Sequence, residues 1–276
     1  MATKSMISDD PWHTLAEQWD HFQPPLRPVR DDTAVVERIA ADIAKMRGSL
    51  DVVMLGVTRE TARCAWPKGA RLRAFDSSEA SINRVWPAGE VPPGATATCA
   101  DWSMLSVEAG TIDLVTADGS LGCLDFPRGA GRVLAEVRRI LRLGGRFITR
   151  TFQRKPETVE AVLSDLEAGR IDNPTVLKMR ICGTMHVNGW AGFLAHDYWK
   201  VWQRLFPDQP AVAKRHGWPA RSLTMLSSYE NEDLRFVYPT MSELESVLAP
   251  NFRTVEVSYP SYELGELCPT LVLEPR

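Results

Sequence analysis

Between residues 50 and 149 the chain alternates short apolar runs with stretches of helical spacing, and no other feature restricts its fold so strongly. The apolar runs are Leu50 to Gly56, Arg71 to Asp76, Ala95 to Ala100, Thr111 to Asp118 and Arg146 to Thr149. Their residues are mostly apolar on both sides of the strand period, the pattern of strands buried on two faces rather than one. Between them lie a short helix that Thr58 is placed to cap, a helical stretch from Ser77 to Trp86 that stops at Pro87, and a helix from Gly129 to Arg142 that Gly144-Gly145 is expected to end. An amphipathic helix, residues 33 to 47, precedes the first strand, with Gly48 in the C-cap position. Strand, helix, strand in this order predicts a parallel sheet with right-handed crossovers and helices on both faces.

The alternation stops near Thr151. From there to residue 238 helical segments (156–168 and about 196–206) are separated by loops rich in Gly, Pro and aromatic residues, which reads as an insertion. Thr240 and Glu243 then form a capping box for a helix through Leu248, and two strands close the chain, Arg253 to Tyr259 and Thr270 to Glu274. The connection between them is too short for a helical crossover, so they should pair antiparallel. The expected fold class is therefore α/β: a doubly wound, mostly parallel seven-stranded sheet with an antiparallel closing hairpin and a helical insertion between strands five and six. The expected organisation is an N-terminal lid and helix (1–48), a core (49–150 and 239–276) and an insertion forming one side of the binding site (151–238).

Charge and cysteine content narrow the class. With 32 basic and 35 acidic side chains the net charge is −3, spread without blocks, so no electrostatic footprint for nucleic acid or an anionic membrane is present. The five cysteines (Cys64, Cys99, Cys123, Cys182, Cys268) include no C-x-x-C pair and suit free thiols in a reducing compartment better than disulfides or zinc. Met1 to Trp12 lacks the apolar core of a signal peptide, and no run reaches the length of a membrane span. A cytoplasmic location is the expectation.

Ligands of doubly wound sheets bind beyond the carboxyl ends of the strands, so the strand ends are where functional residues belong. Four stand out in order. Gly56, within Leu55-Gly56-Val57-Thr58, lets backbone approach a ligand; Asp76 lies twenty residues further on, where a carboxylate can accept both hydroxyls of a ribose; Asp101-Trp102 and Asp118-Gly119-Ser120 follow strands three and four. Each also has a plainer reading. Asp76 can cap the next helix, Asp101 and Asp118-Gly119 are natural turn residues, and Trp102 can simply pack.

Taken together these residues resemble the motifs of class I S-adenosylmethionine-dependent methyltransferases of the small-molecule type. Val52 to Thr58 resembles motif I, Ala74 to Ser78 motif II, Ala100-Asp101-Trp102 motif III and Ile112 to Leu121 motif IV. Leu141 to Phe147 is similar to the family's "L-x-P-G-G" segment with Leu143 in place of Pro, and Trp12 to Asp20 to its lid segment, with Trp where Tyr is common. The turn itself departs from the family's "E/D-x-G-x-G-x-G", offering one glycine and Thr58.

The resemblance implies S-adenosylmethionine as cofactor. Leu55, Gly56, Val57 and Thr58 would lie against its methionine and ribose parts, Asp76 and Ser77 along the ribose, Asp101 and Trp102 about the adenine, Asp118, Gly119 and Ser120 below the sulfonium, and Trp19 over it in the lid. Arg59 is a candidate for the cofactor carboxylate. If the acceptor needs a general base, the candidates are His13, His186, His196 and Asp118. The expected partner is a small-molecule methyl acceptor, with no nucleic acid and no membrane, and a homodimer is left open; no metal is expected. Other readings are a non-catalytic methyltransferase-like binding module, a protein or RNA methyltransferase and, at a distance, a nicotinamide-dependent oxidoreductase. Six of the nine tryptophans (Trp12, Trp19, Trp190, Trp199, Trp202, Trp218) fall in the lid and insertion, the segments expected to cover the cleft.

Overall fold

The computed structural model describes residues 12–186, 189–223, 229–230 and 233–276. Its centre is a seven-stranded sheet. In chain order the strands and helices begin with α1 (His13–Glu17), α2 (Arg30–Arg47), β1 (Asp51–Leu55), α3 (Arg59–Ala62), β2 (Arg71–Asp76), α4 (Glu79–Val85) and β3 (Thr96–Cys99). After β4 (Ile112–Asp118), α5 (Arg128–Ile140) and β5 (Leu141–Arg150) come α6 (Val159–Glu167), α7 (Pro174–Thr184), β6 (Phe193–Leu194), α8 (Ala195–Leu205), α9 (Gln209–Arg215) and β7 (Arg235–Phe236). The chain closes with α10 (Met241–Leu248), β8 (Phe252–Ser258) and β9 (Thr270–Pro275).

The sheet order is β3-β2-β1-β4-β5-β9-β8. Strands β1 to β5 pair in parallel, and β9 runs antiparallel to both β5 and β8. Strand order therefore reverses between β1 and β4, which opens a crevice above their carboxyl ends. The period of two separates the faces: Val53 and Leu55 pack with α5 and α10, whereas Val52 and Met54 pack with Val36, Ala40 and Ile43 of α2. All four strand residues are essentially excluded from solvent, and each such side chain contributes roughly 1.5–3 kcal/mol.

Two local expectations change. Helix α5 ends at Ile140, and Leu141 already pairs with Ile112, so Gly144 and Gly145 stand inside β5 where its register with β4 shifts. Gly144 has φ +76°, and a Cβ on Gly145 would come within 3.1 Å of the Asp113 carbonyl. The glycines thus serve a strand irregularity with close backbone contact rather than a helix stop. Thr58 does stand at the N-cap of α3, but its side chain accepts no helix N–H.

The segment after β5 builds its own apolar cluster from α6, α7, α8 and α9 around Trp202, Tyr198 and Leu177. It also contains a two-stranded antiparallel sheet, β6 with β7, which the periodicity did not announce. Next to β7, the Val237 N–H donates to the Gly122 carbonyl at 2.8 Å, joining this layer to the turn after β4. No described helix is long and apolar enough to cross a membrane.

Candidate active site

A cavity of about 660 Å³ lies over the carboxyl ends of the parallel strands, roofed by α1 on one side and by α7, α8 and β7 on the other. Gly56, Val57, Thr58, Asp76, Ser77, Asp101, Trp102, Asp118, Gly119, Ser120 and Trp19 all line it. Leu55 does not: it is buried in the sheet, where its carbonyl accepts the Ser120 hydroxyl at 3.0 Å.

The turn after β1 is shaped by one glycine. Gly56 has φ +88°, and a Cβ there would point at Ser120 Oγ (3.2 Å), Trp102 Cζ2 (3.7 Å) and Asp76 Oδ2 (3.9 Å). Backbone thus forms the cavity wall between three side chains, as close approach to a ligand requires. Asp76 braces the same turn: Oδ2 accepts the Val57 N–H at 3.0 Å and Oδ1 the Ser78 N–H at 2.9 Å. Capping of α4 falls instead to Ser78, whose side chain accepts from Ser81. The Trp102 indole donates to the Phe75 carbonyl at 2.7 Å, which fixes its ring as a flat wall. Asp101 is exposed, and the N–H and hydroxyl of Ser103 hold its carboxyl below the usual carboxylate range. These groups suit an adenosine-bearing cofactor: a backbone cradle, a fixed indole and a carboxylate at the cavity wall.

The candidate bases fare differently. Asp118 lines the cavity, but Arg150 grips both of its oxygens, with Nη2 to Oδ2 at 3.1 Å, so its carboxylate is engaged in an ion pair. His13 is half-exposed and faces Glu17 rather than the cavity. His186 is buried beyond the cavity near Arg154 and Glu243; among the described residues neither ring nitrogen has a partner, and burial pushes its pKa down to about 4. His196 is half-buried outside the cavity lining, bonds the Glu230 carbonyl and stacks on Trp199. Arg59 donates to Asp20 and to the carbonyls of Val85 and Arg84, tying the lid to the end of α4 instead of facing the cavity.

At the far end of the cavity sequence reasoning pointed to Met179, Tyr198 and Tyr229 of the aromatic-rich insertion but not to Lys178 or Tyr238. There Lys178, Met179 and Cys182 of α7 line the cavity together with Tyr198, Tyr229 and Tyr238, and Cys123 and Phe152 line it as well. Burial raises the Tyr198, Tyr229 and Tyr238 hydroxyls above their ordinary pKa, so all three stay protonated.

Residues 35–149 match the family model described as a methyltransferase domain. The sheet order above is that of the Rossmann-like methyltransferase fold. Solved structures extend the fold over nearly the whole chain. The CcbJ methyltransferase from Streptomyces caelestis is 14% identical, with 96% of this chain and 98% of that one covered and a TM-score of 0.56. A Rhodobacter sphaeroides structure described as a Zn-dependent alcohol dehydrogenase is 15% identical, covering 96% and 98%, with a TM-score of 0.58. The N-methyltransferase NodS from Bradyrhizobium japonicum WM9, in complex with S-adenosyl-l-homocysteine, is 11% identical, covering 96% and 99%, with a TM-score of 0.50. At these identities the likeness is one of fold. No curated protein matches the chain.

Proposed function

We propose that the protein is an S-adenosylmethionine-dependent methyltransferase acting on a small-molecule acceptor. The observation that carries this reading is one continuous cavity whose sheet end presents Gly56, Asp76 and Trp102 and whose far end is enclosed by the insertion. The methyltransferase domain match and the NodS complex support the choice of cofactor. When bound, that cofactor supplies an electrophilic methyl group already activated for transfer. What remains for the protein is to orient the acceptor and keep water out, the contributions that matter most when little chemistry is left to do. Asp76 would hold ribose hydroxyls, Trp102 and Asp101 would flank the base, and Trp12 and Trp19 of the lid would cover the site. Such a cover and an enclosed far end favour a small acceptor over a protein or RNA segment.

The test is calorimetric titration with S-adenosylmethionine and S-adenosylhomocysteine. Wild type should bind both. Asp76→Asn, which keeps one oxygen acceptor for the backbone, should weaken binding by about 1.5–3 kcal/mol, the worth of a hydrogen bond to a charged group. No binding by wild type at millimolar ligand defeats the enzyme reading and leaves a binding module that uses the same cleft for something else.

A further inference from the structure

Two buried cations sit two residues apart on α7, and the fold treats them in opposite ways. Arg180 is 8% exposed and faces Glu157 and Asp165, with Nη2 to Asp165 Oδ2 at 2.6 Å. Lys178 is 3% exposed, and among the described residues no carboxylate lies within ion-pair distance and no side chain or carbonyl accepts from its amine. Two residues on a helix point to opposite sides, so Arg180 turns into the insertion while Lys178 lines the cavity. Its neighbours there are apolar or hydroxylic: Met179, Cys182, Tyr198, Tyr229 and Tyr238. The Tyr198 hydroxyl is engaged by the Lys178 carbonyl at 3.2 Å, which fixes the backbone at this position without touching the amine.

A buried amine without a counter-charge is costly unless it is neutral or a ligand completes it. We infer that Lys178 is a catalytic residue for the proposed transfer, accepting the proton of an acidic hydroxyl on an aromatic acceptor. This rests on the methyltransferase reading and names its substrate class. In the step, the acceptor O–H bond breaks and its electron pair stays on oxygen. Lys178 Nζ uses its lone pair to take the proton, leaving an anionic oxygen paired with an ammonium. That oxygen is the nucleophile. Burial lowers the Lys178 pKa to about 7, so the amine is available as a base near neutrality. An amine acceptor, by contrast, would bring a second cationic group into a cavity end where the described residues place no anion to balance it. The tyrosine and methionine walls suit a flat, apolar ring.

The test uses 4-nitrophenol, whose ionised form absorbs at longer wavelength than its neutral form, added to the full chain slightly below neutral pH. Wild type should bind it saturably as the anion, and 4-nitroanisole, which has no acidic proton, should bind at least about 30-fold more weakly, the scale of losing one partner of a buried charge pair. Lys178→Met should lose the anion band while still binding S-adenosylhomocysteine in calorimetry. Lys178→Arg, already charged, should keep the band but release a proton to buffer, seen as a binding heat that changes with the buffer's ionisation enthalpy; this variant carries the test if the methionine variant does not fold. Equal binding of phenol and anisole, an unchanged band in Lys178→Met, or tight binding of benzoate without 4-nitrophenol overturns the inference. Failure of S-adenosylhomocysteine to bind wild type, with the nitrophenol results intact, would instead count against the methyltransferase reading alone.

Discussion

Asp118 and Arg150 stand opposite each other in the register of β4 and β5, and their side chains form a paired carboxylate and guanidinium beneath the cavity. Arg150 is 3% exposed and donates also to the carbonyls of Pro25 and Leu26 and to the Tyr262 hydroxyl, with Asp32 at 3.9 Å. One guanidinium thus fastens the segment between lid and α2 to the floor of the site. Its charge is held firmly: Asp118, Tyr262 and Asp32 raise its pKa despite complete burial.

Arg150→Met should therefore destabilise the fold by about 3–5 kcal/mol, because it leaves buried carboxylates unpaired. Arg150→Lys should recover only part of this, since an ammonium cannot reproduce the bidentate fork. Urea unfolding of the three proteins measures both. A loss below about 1 kcal/mol for the methionine variant would mean the network is dispensable.

Gly119→Ala should cost more than Gly48→Ala. Both glycines have positive φ, +65° and +74°, so both variants carry backbone strain of about 1 kcal/mol. At Gly48 a Cβ meets nothing within 4 Å, whereas at Gly119 it would lie 2.7 Å from Phe152 Cε2. Overpacking should add about 1–3 kcal/mol at Gly119 alone. Equal melting temperatures for the two variants would contradict this.

Mild acid should destabilise the protein through His186. Its folded pKa, about 4, lies below the ordinary 6.5, so between these values the unfolded chain binds a proton that the folded chain refuses. Stability is full above pH 6.5 and falls as pH drops toward 4. His186→Leu should flatten the stability profile over that window, and a profile identical to wild type would show that another group is responsible.

Glu243 should govern a second, more acidic step. Arg154 donates to both of its oxygens, at 2.7 and 2.8 Å, and the Thr240 N–H donates to it as well. Together they hold its carboxyl at about 2 against an ordinary 4.5. The stability it contributes is present above pH 4.5 and is lost as pH falls toward 2. Glu243→Gln, which keeps an acceptor for the Thr240 N–H, should remove this dependence while lowering stability near neutrality; denaturant midpoints measured from pH 5 to 2.5 would reveal it.

The sheet was legible because its strands are apolar on both faces and end in Gly or Asp, signals that survive without tertiary context. The capping box at Thr240 and Glu243 was legible for the same reason, being local. Helix α7 was not: from Pro174 to Cys182 every residue is buried, so the helix has no polar face and shows no periodicity. Its start was nonetheless written in Asn173-Pro174, an N-cap followed by proline at the first turn, with Asn173 Oδ1 accepting the Thr175 and Val176 N–H groups. Missing α7 meant missing Lys178. The partner of Asp118 was hidden for a different reason: the sequence shows its place at a strand end, but only the register across β4 and β5 brings Arg150 to it.

The backbone bond from Val237 to Gly122 joins the far wall of the cavity to the turn that carries Ser120 and Cys123. Gly122 has no room for a side chain there, since a Cβ would sit 3.0 Å from the Val237 carbonyl. A ligand that tightened this turn from the sheet side would therefore also steady the far wall against a second ligand bound there. Any such gain is reciprocal by thermodynamic necessity: whatever factor the first ligand contributes to the affinity of the second, the second returns to the first, and order of addition changes only the path.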